Sequence, residues 1–386
     1  MKFKRIFLFI CDSLGVGEAI DANKYGDTGA NTLGNINSKT NIFIPNLEKL
    51  GLLNTINMNE DKNTLAYYSI SRPERVGKDI LSSYHEMFGV IDEYPYKEYK
   101  DGFPAELIDE IEKYCNKKVI GNILTSNDSA IKNFAIEHIN TSSLIIYTSK
   151  DSVIKVAAHE KVIKPTNLYK YCEIIRKIAS KKEWRIARVE AIPFNGNSLN
   201  TFKVTSNFKE FIDNPKTISV FDALHNTKSV IAIGRVSDLF NGCGITKKIK
   251  ANTNKEAIDK AIEIMDKKFE GLCVTSLSEY DMTHDFDKDI NDYKDKIEAL
   301  DVEIPVILNK LNNDDLLILT AALGNDPTIN ESFNTRENVP VIVFNRLFIE
   351  PKKLDILNST SDIGITILDN FNIKTNGGNS FLDKLK

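Results

Sequence analysis

The sequence has few of the residues that mark a disulfide-stabilised or zinc-binding protein. Its five cysteines, at positions 11, 115, 172, 243 and 273, are scattered and form no Cys-x-x-Cys pair. An odd, dispersed set argues against a disulfide framework and against a zinc ribbon. We therefore expect a reducing environment and a cytoplasmic location.

Long apolar runs are also missing. The N-terminal MKFKRIFLFICDSLG places basic residues before an apolar stretch, but residues 6–11 are too few for the apolar core of a signal peptide, and Asp12 follows at once. No segment approaches the ~20 apolar residues that span a bilayer. We expect no association with membranes.

Neither sign of charge dominates. The chain has 50 basic and 54 acidic residues, for a formal net charge of −4. This balance gives no general attraction to nucleic acid or to anionic membranes, so we expect no nucleic-acid partner. Any anion that the protein binds must be held by a local cluster of cations.

The chain does have regularly spaced apolar runs. At 386 residues it exceeds one ordinary core, which predicts two domains or one domain with an insertion. Continuously apolar runs are typical of buried parallel strands. They alternate with segments of helical period at 255–269 and 293–311. This order predicts a doubly wound α/β sheet. The apolar runs lie at 5–11, 229–234, 271–277, 316–323 and 339–345.

The middle of the chain has a different pattern. Residues 104–118 and 167–183 have helical periods, 143–149 form a strand-like run, and 184–192 alternate like a half-exposed strand. The aromatic, charged stretch 92–104 is typical of a hinge into this region, and 207–217 of the way out. We predict an α/β cap at 96–213, inserted into a core built from 1–95 and 214–386.

Candidate chemistry lies where the predicted strands end. In open α/β sheets, ligands bind beyond the carboxyl ends of the strands. Asp12, Arg235, Asp281 and the turn after Leu319 fall at such ends. Two carboxylates there can hold a divalent cation. A single aspartate in such a place is more often a helix N-cap or a turn residue.

Other motifs give little support for a named chemistry. His284 lies in the acidic DMTHDFDKD, which lacks the spacing of a calcium loop, and a solvated polar loop is the simpler interpretation. The sequence contains no Gly-x-Gly-x-x-Gly, Walker or Gly-x-Ser-x-Gly motif. Nucleotide-binding and hydrolase-elbow interpretations therefore lack support.

Several ordered blocks resemble the phosphopentomutase family of the alkaline phosphatase superfamily, and they cover essentially the whole chain. The family resemblance implies an alkaline-phosphatase-like doubly wound core with a smaller inserted α/β cap. The blocks are FICDSLGVGEAIDANKYGDTGANTLGNI (9–36), VGKD (76–79) with HEMFG (85–89), SLIIYTSKDSVIKVAAHE (143–160), DDLLILTAALGNDP (314–327), NTRENVPVIVF (334–344) and GGNSFLDKL (377–385).

The resemblance also implies a reaction. The family belongs to nucleoside metabolism and interconverts ribose 1-phosphate and ribose 5-phosphate through a phosphorylated threonine, over two divalent metals that are usually manganese. Such a metal pair clamps the attacking and leaving oxygens and stabilises their charge. Carboxylate and imidazole ligands suit manganese.

Most of that equipment is missing at the matching positions. The nucleophile should follow Gly-Lys-Asp, but the residue there is Ile80. Ala322 and Leu323 stand in place of an Asp-His metal-ligand pair, and Phe286 and Asn334 in place of two histidines. Isoleucine has no nucleophilic atom, and apolar side chains cannot coordinate a hard cation.

Two metal ligands of the family remain. They are Asp12 and Asp281, one from each metal position, and Asn334 is left open as a further ligand beside Asp281. We expect no pair of manganese ions to bind such a remnant. Without metals the two carboxylates repel each other, unless one is protonated or a basic side chain approaches.

The residues at the positions that bind the sugar phosphate in the family differ less from the family pattern. Asp151 matches the residue that faces the ribose, and Arg188 matches an arginine that contacts the phosphate. Lys203 stands where a second phosphate arginine is expected, so the charge is kept but the bidentate fork is lost. Arg235 matches a basic residue of the family. A pentose-phosphate pocket follows from the resemblance, while a surface or interdomain salt bridge is the alternative for Arg188.

Three hypotheses follow. The leading one is a pseudoenzyme that binds a pentose phosphate or regulates a partner. The second is an active phosphotransfer enzyme with a rebuilt site, in which Ser82 or Ser83 supplies a hydroxyl and His284, Asp285 and Asp287 replace lost ligands. The third is an interaction protein whose pocket is vestigial. In that case Ile80, Leu323 and Phe286 would pack into a dry plug worth several kcal/mol, at ~25 cal/mol per Å².

Overall fold

Two β-sheets organise the protein. The architecture comes from a computed structural model that describes residues 2–61, 63–90, 94–149, 151–280, 289–329, 334–374 and 378–386. The strands in these ranges are β1 Arg5–Cys11, β2 Tyr67–Ser71, β3 Val119–Leu124, β4 Leu144–Thr148, β5 Val153–His159, β6 Arg188–Asn195, β7 Lys203–Val204, β8 Lys209–Phe211, β9 Ser229–Ile233, β10 Lys247–Ile249, β11 Gly271–Leu277, β12 Asp315–Ala321 and β13 Val339–Phe344.

Helices flank both sheets. Short 3₁₀ turns occur at Ala22–Tyr25, Ser278–Tyr280 and Leu382–Lys384. Within the described ranges, no helix has both the length and the apolar character that a membrane span requires. The α-helices are α1 Thr32–Thr40, α2 Pro45–Lys49, α3 Asn54–Asn57, α4 Ile80–Met87, α5 Ala105–Cys115, α6 Asn127–Thr141, α7 Pro165–Ala179, α8 Val220–Leu224, α9 Val236–Leu239, α10 Asn254–Met265, α11 Ile290–Lys310 and α12 Ser361–Asn370.

The larger sheet has the strand order β10-β9-β11-β1-β12-β13-β2. Strands β9, β11, β1 and β12 are parallel, as predicted, and β10, which the sequence analysis did not identify, is parallel to β9. Strand β13 is antiparallel to both of its neighbours. The prediction of a parallel strand at 339–345 is therefore wrong. A continuous apolar run indicates that a strand is buried on both faces of its sheet, but it does not indicate whether the strand is parallel or antiparallel to its neighbours. The described residues between β12 and β13 include no crossover helix, which a parallel return requires.

Both faces of this sheet are covered, which confirms the predicted doubly wound α/β core. Alternate residues of β1 enter different apolar clusters, because successive side chains point to opposite faces. Ile6, Leu8 and Ile10 pack with residues of α4, α8, α9 and α12. Phe7 and Phe9 pack with residues of α1, α2, α10 and α11.

The smaller sheet is formed entirely by residues 119–211. Its strand order is β3-β4-β5-β6-β7, and β8 also pairs with β6. Helices α5 and α7 pack on one face and α6 on the other. The half-exposed strand predicted at 184–192 is wrong, since β6 is buried from Arg188 to Phe194. Its alternating polar residues pair inside the protein instead of facing water. The division into a core and an inserted cap at 96–213 stays a prediction.

Candidate functional site

Asp12 lies at the carboxyl edge of the larger sheet, immediately after β1, and is fully buried. The hydroxyl of Tyr84 donates to its Oδ1 atom, and Ser276 Oγ donates to the same atom at 3.1 Å. Arg235 Nη1 lies 3.4 Å from Oδ2. Asp12 is therefore held by two hydroxyls and a guanidinium, so the basic side chain that the sequence left open as one alternative is Arg235.

Strand register explains why these groups meet. Cys11 pairs with Leu277 of β11, which brings Ser276 beside the end of β1. Strand β9 pairs with β11, and Arg235 follows β9 by two residues. Burial and the Asp12 charge raise the pKa of Tyr84 well above its usual value. The phenol therefore stays protonated and continues to donate to the carboxylate.

The nucleophile position is apolar and inaccessible. Ile80 is the first residue of α4 and is buried. Asp79 caps this helix, and its side chain accepts from Ser82 N at 2.8 Å and Ser82 Oγ at 2.6 Å. Ser83 Oγ donates to the Asp79 carbonyl at 2.8 Å. Both serine hydroxyls proposed for a rebuilt site thus donate hydrogen bonds to Asp79.

The replaced Asp-His pair follows β12. Ala322 and Leu323 are fully buried, and Leu323 N donates to the Asp12 carbonyl at 3.1 Å. Both belong to the same apolar cluster as Ile80. Two of the three side chains predicted to form a plug therefore share one cluster. The third, Phe286, lies outside the described residues, as do Asp281, His284, Asp285 and Asp287.

Asn334 binds the backbone next to the nucleophile position. Its Nδ2 atom donates to the carbonyl of Lys78 at 3.0 Å. Arg336 Nη1 donates to the carbonyl of Gly77 at 3.0 Å. The Lys78 ammonium in turn lies 3.0 Å from Asp27, which is buried. Asn334 thus takes part in holding the loop that precedes Ile80.

These residues do not fit a pair of divalent cations. The described part of the chain contains no group of three or more His, Cys, Asp or Glu side chains placed to hold a metal. Asp12, the described carboxylate of the remnant, already faces the guanidinium of Arg235. Ala322 and Leu323, at the positions of two family ligands, are apolar and supply none of the oxygen ligands that a divalent cation needs.

Arg188, the first residue of β6, is only 2% exposed. Its Nη1 atom lies 2.5 Å from Asp151 Oδ2, and its Nε atom lies 3.0 Å from Glu190 Oε1 and 3.6 Å from Glu210 Oε1. Burial alone would lower the pKa of Arg188, but the three carboxylates outweigh burial and leave the pKa raised. Arg188 and Asp151, both predicted to contact the substrate, are paired with each other.

A polar row crosses the smaller sheet beside Arg188. Tyr147, Lys155, Glu190 and Glu210 are successive partners in the registers of β4, β5, β6 and β8. Lys155 Nζ lies 3.6 Å from Glu190 Oε2. Burial, aided by Glu190, raises the pKa of Glu210.

Arg235 connects this row to the larger sheet. Its Nη2 atom donates to Glu210 Oε1 at 3.1 Å, while Nη1 faces Asp12. A continuous set of ionic contacts therefore runs from one sheet to the other. We call it the cleft ion network. Three cations and four carboxylates give it a formal charge of −1 when all are ionised. Its members are Asp12, Asp151, Lys155, Arg188, Glu190, Glu210 and Arg235.

Lys203 does not join the cleft ion network. It is exposed on β7 and pairs with Asn195, at the opposite end of β6 from Arg188. Arg188 and Asn195 are seven positions apart along β6, or about 23 Å. Lys203 would contact the same small ligand as Arg188 only in a different arrangement of the chain.

Sequence reasoning missed several members of the site. Glu190 had a usable signal, because residues two apart on a strand share a face and Arg188-x-Glu190 places opposite charges there. Lys155, Glu210, Tyr84 and Ser276 had no such signal. They reach the site through strand register and helix packing between distant parts of the chain.

Glu337 is a buried carboxylate near this edge of the sheet. It accepts from Thr32 N at 2.8 Å, Thr32 Oγ1 at 2.7 Å and Thr335 Oγ1 at 2.5 Å. Its side chain fills the space beside Gly15 and Gly324, where an added Cβ would lie 2.2 and 2.4 Å from its oxygens. Burial raises the pKa of Glu337 to about 7, despite the hydroxyl donors.

We expect Glu337 to make the protein less stable as the pH rises. Because the folded pKa lies above the unfolded value of 4.5, its contribution is fully present below pH 4.5 and is lost as the pH passes through about 7. Between pH 5 and 8, the free energy of unfolding of the wild-type protein should fall by about 2–3 kcal/mol more than that of the Glu337→Gln variant. Urea unfolding at both pH values measures the difference. Equal declines in the two proteins would contradict the raised pKa.

Known proteins resemble this chain over its whole length. A family model described as the metalloenzyme superfamily matches residues 4–375. Phosphopentomutases of Clostridium beijerinckii and Clostridium tetani are each 37% identical, and each match covers 100% of this chain and 99% of the relative.

Solved structures are more distant. The PH0037 protein of Pyrococcus horikoshii has a TM-score of 0.49 and 13% identity, covering 98% of this chain and 100% of that protein. A Leishmania mexicana phosphoglycerate mutase has a TM-score of 0.46 and 9% identity, covering 98% and 97%. These scores are too low to add to what the sequence matches show.

Proposed function

This chain belongs to the phosphopentomutase family of the metalloenzyme superfamily, and we propose that it is a catalytically inactive member whose cleft is closed by its own charged side chains. The observation that carries the proposal is the environment of Asp12. A guanidinium and two hydroxyls surround this carboxylate, and Ile80 stands where the family places its nucleophile.

Phosphoryl transfer through the enzyme needs a hydroxyl nucleophile and a charge clamp on the transferring group. Position 80 lacks the hydroxyl, and the described residues lack the ligands for the clamp. Ser82 and Ser83 are not substitutes, because their hydroxyls bond to Asp79 and a nucleophile displaced by ~1 Å already loses much of its rate.

The cleft ion network also opposes phosphate binding. Its formal charge is −1 with all groups ionised and 0 with Glu210 protonated, so in neither state does it attract a phosphate monoester, which carries close to two negative charges at neutral pH. Arg188 would have to leave Asp151 or Glu190 to bind the phosphate. We therefore expect ribose 5-phosphate to bind only weakly, and we propose that the protein acts in the cytoplasm through a protein partner. The five free cysteines, four of them buried, are compatible with that compartment.

A pentose-phosphate sensor is the second candidate. It is favoured by Asp151, Arg188 and Arg235, which occupy positions that the family uses for substrate and gather in one cluster. Lys203 belongs to this proposal only if the chain rearranges. Calorimetric titration with ribose 5-phosphate separates the candidates: micromolar affinity supports the sensor, and no binding below millimolar concentrations supports the closed cleft.

The inactive state has a direct test. We expect turnover of ribose 1-phosphate with manganese to be at least about 10⁴-fold below that of the Clostridium beijerinckii phosphopentomutase, measured alongside as the positive control. Ile80→Thr alone should remain inactive, because it restores the hydroxyl but not the charge clamp. Elemental analysis should find no stoichiometric metal. Turnover that Asp12→Ala abolishes, with bound manganese, would falsify the proposal.

A further inference from the structure

A pocket of about 300 Å³ lies where the chain passes between the two sheets. Tyr94 and Tyr96 line it on the way into the smaller sheet, and residues 213–216 line it on the way out. Helix α4 and the end of α7 complete its walls. Its volume is at the lower end of the range for small-molecule sites. The cleft ion network contributes none of the lining residues described.

The lining is strongly basic. Arg176, Lys182, Arg185 and Lys216 contribute four positive charges, against one negative charge from Asp213. Asp213 lies 3.5 Å from Arg176 Nε, but its side chain is 54% exposed, so water screens its charge. The chain as a whole carries a net charge of −4. This pocket is thus a local cation cluster of the kind that an anion would require.

Arg176 is a donor that the protein leaves incompletely bonded. Its side chain is 7% exposed. Nε donates to Ser180 Oγ at 3.1 Å and Nη2 donates to the Ile186 carbonyl at 2.6 Å, whereas Nη1 has no hydrogen-bond partner among the described residues. Buried donors are rarely left unsatisfied, and a guanidinium can pair with phosphate oxygens. Nη1 is itself shielded from solvent, so a phosphate in the pocket would bond to it only after a small shift of the Arg176 side chain. Burial lowers the pKa of Arg176, a change that a bound anion would oppose.

An aromatic surface lies beside these cations. Tyr94 is half exposed, and Lys182 Nζ and Arg185 Cζ each lie 5.8 Å from its ring centroid. Arg185 has a positive φ of 48°, a conformation that is uncommon for a residue with a side chain. A flat aromatic ring can stack on such a surface while its phosphate meets the cations.

We propose that this hinge pocket binds a nucleoside monophosphate, with the phosphate at Arg176 and the base against Tyr94. The proposal does not depend on whether the phosphopentomutase site is inactive. Because the pocket contacts α4 and the smaller sheet together, the ligand would stabilise their observed arrangement.

Isothermal titration calorimetry at fixed ionic strength, with AMP and with inorganic phosphate as probes, tests the proposal. We expect AMP to bind to the wild-type protein at least tenfold more tightly than phosphate. The double variant Lys182→Glu/Lys216→Glu should weaken AMP binding by about tenfold or more. Both lysines are exposed, so the variant should fold. Lys177→Glu, next to Arg176 but exposed and outside the lining, is the matched control and should stay within twofold.

Arg176→Lys provides a second variant. Lysine keeps the positive charge but lacks the bidentate donor geometry of the guanidinium. The variant should therefore bind AMP more weakly, while its circular dichroism spectrum remains that of the wild type. The absence of binding heat with either probe would overturn the site. Undiminished AMP affinity in the double variant would show that AMP binds elsewhere than in this pocket. Equal affinities for AMP and phosphate would show that the base makes no favourable contact.

Discussion

Replacing Arg188 with methionine should lower the free energy of unfolding by about 3–5 kcal/mol, because breaking a buried ionic cluster leaves uncompensated charge behind. Methionine keeps much of the side-chain volume, so the expected loss reports the charge. Asp151, Glu190 and Glu210 all lie within 3.6 Å of the guanidinium. Without it, Lys155 is the one cation of the cleft ion network left on the smaller sheet.

Urea unfolding at neutral pH measures this loss. Trp184, the sole tryptophan of the chain, precedes β6 and reports on the smaller sheet by fluorescence. Lys177→Met removes an exposed charge from α7 and is the control, expected to change stability by no more than about 0.5 kcal/mol. A loss below about 1 kcal/mol for Arg188→Met would mean that water or protons already neutralise the three carboxylates.

Replacing Arg235 with methionine should destabilise the protein by about 2–4 kcal/mol. The change leaves the carboxylate of Asp12, which is fully buried, without its cationic partner, and it also removes a partner of Glu210. The expected loss is smaller than for Arg188 because the Arg235 side chain is 13% exposed and water can partly solvate the site. Differential scanning calorimetry and urea unfolding should report the same rank order.

A double-mutant cycle isolates the contact between Asp12 and Arg235. Asp12→Asn keeps the shape and an acceptor for Tyr84 and Ser276 while removing the charge. In the Arg235→Met background it should recover part of the lost stability, with an interaction energy of about 1–3 kcal/mol. Additive effects of the two substitutions would show that the guanidinium does not neutralise Asp12.

The sequence alone predicted the strands at the centre of the larger sheet and showed which residues replace the catalytic residues of the family. Strands β1 and β11 have the predicted bounds, since a strand buried on both faces must be continuously apolar. Asp12 follows β1 at the sheet edge, as expected. The absence of a hydroxyl at Ile80 needs no coordinates, because it depends on residue identity and not on geometry.

Only the tertiary structure decided which charges meet. Arg235 reaches Asp12 from 223 positions away in the chain, and Glu210 joins them through the register of β8 on β6. The sequence likewise did not predict that β13 is antiparallel or that Lys203 lies far from Arg188. Local sequence reports burial and periodicity, whereas ion pairing and strand direction depend on which distant segments become neighbours when the chain folds.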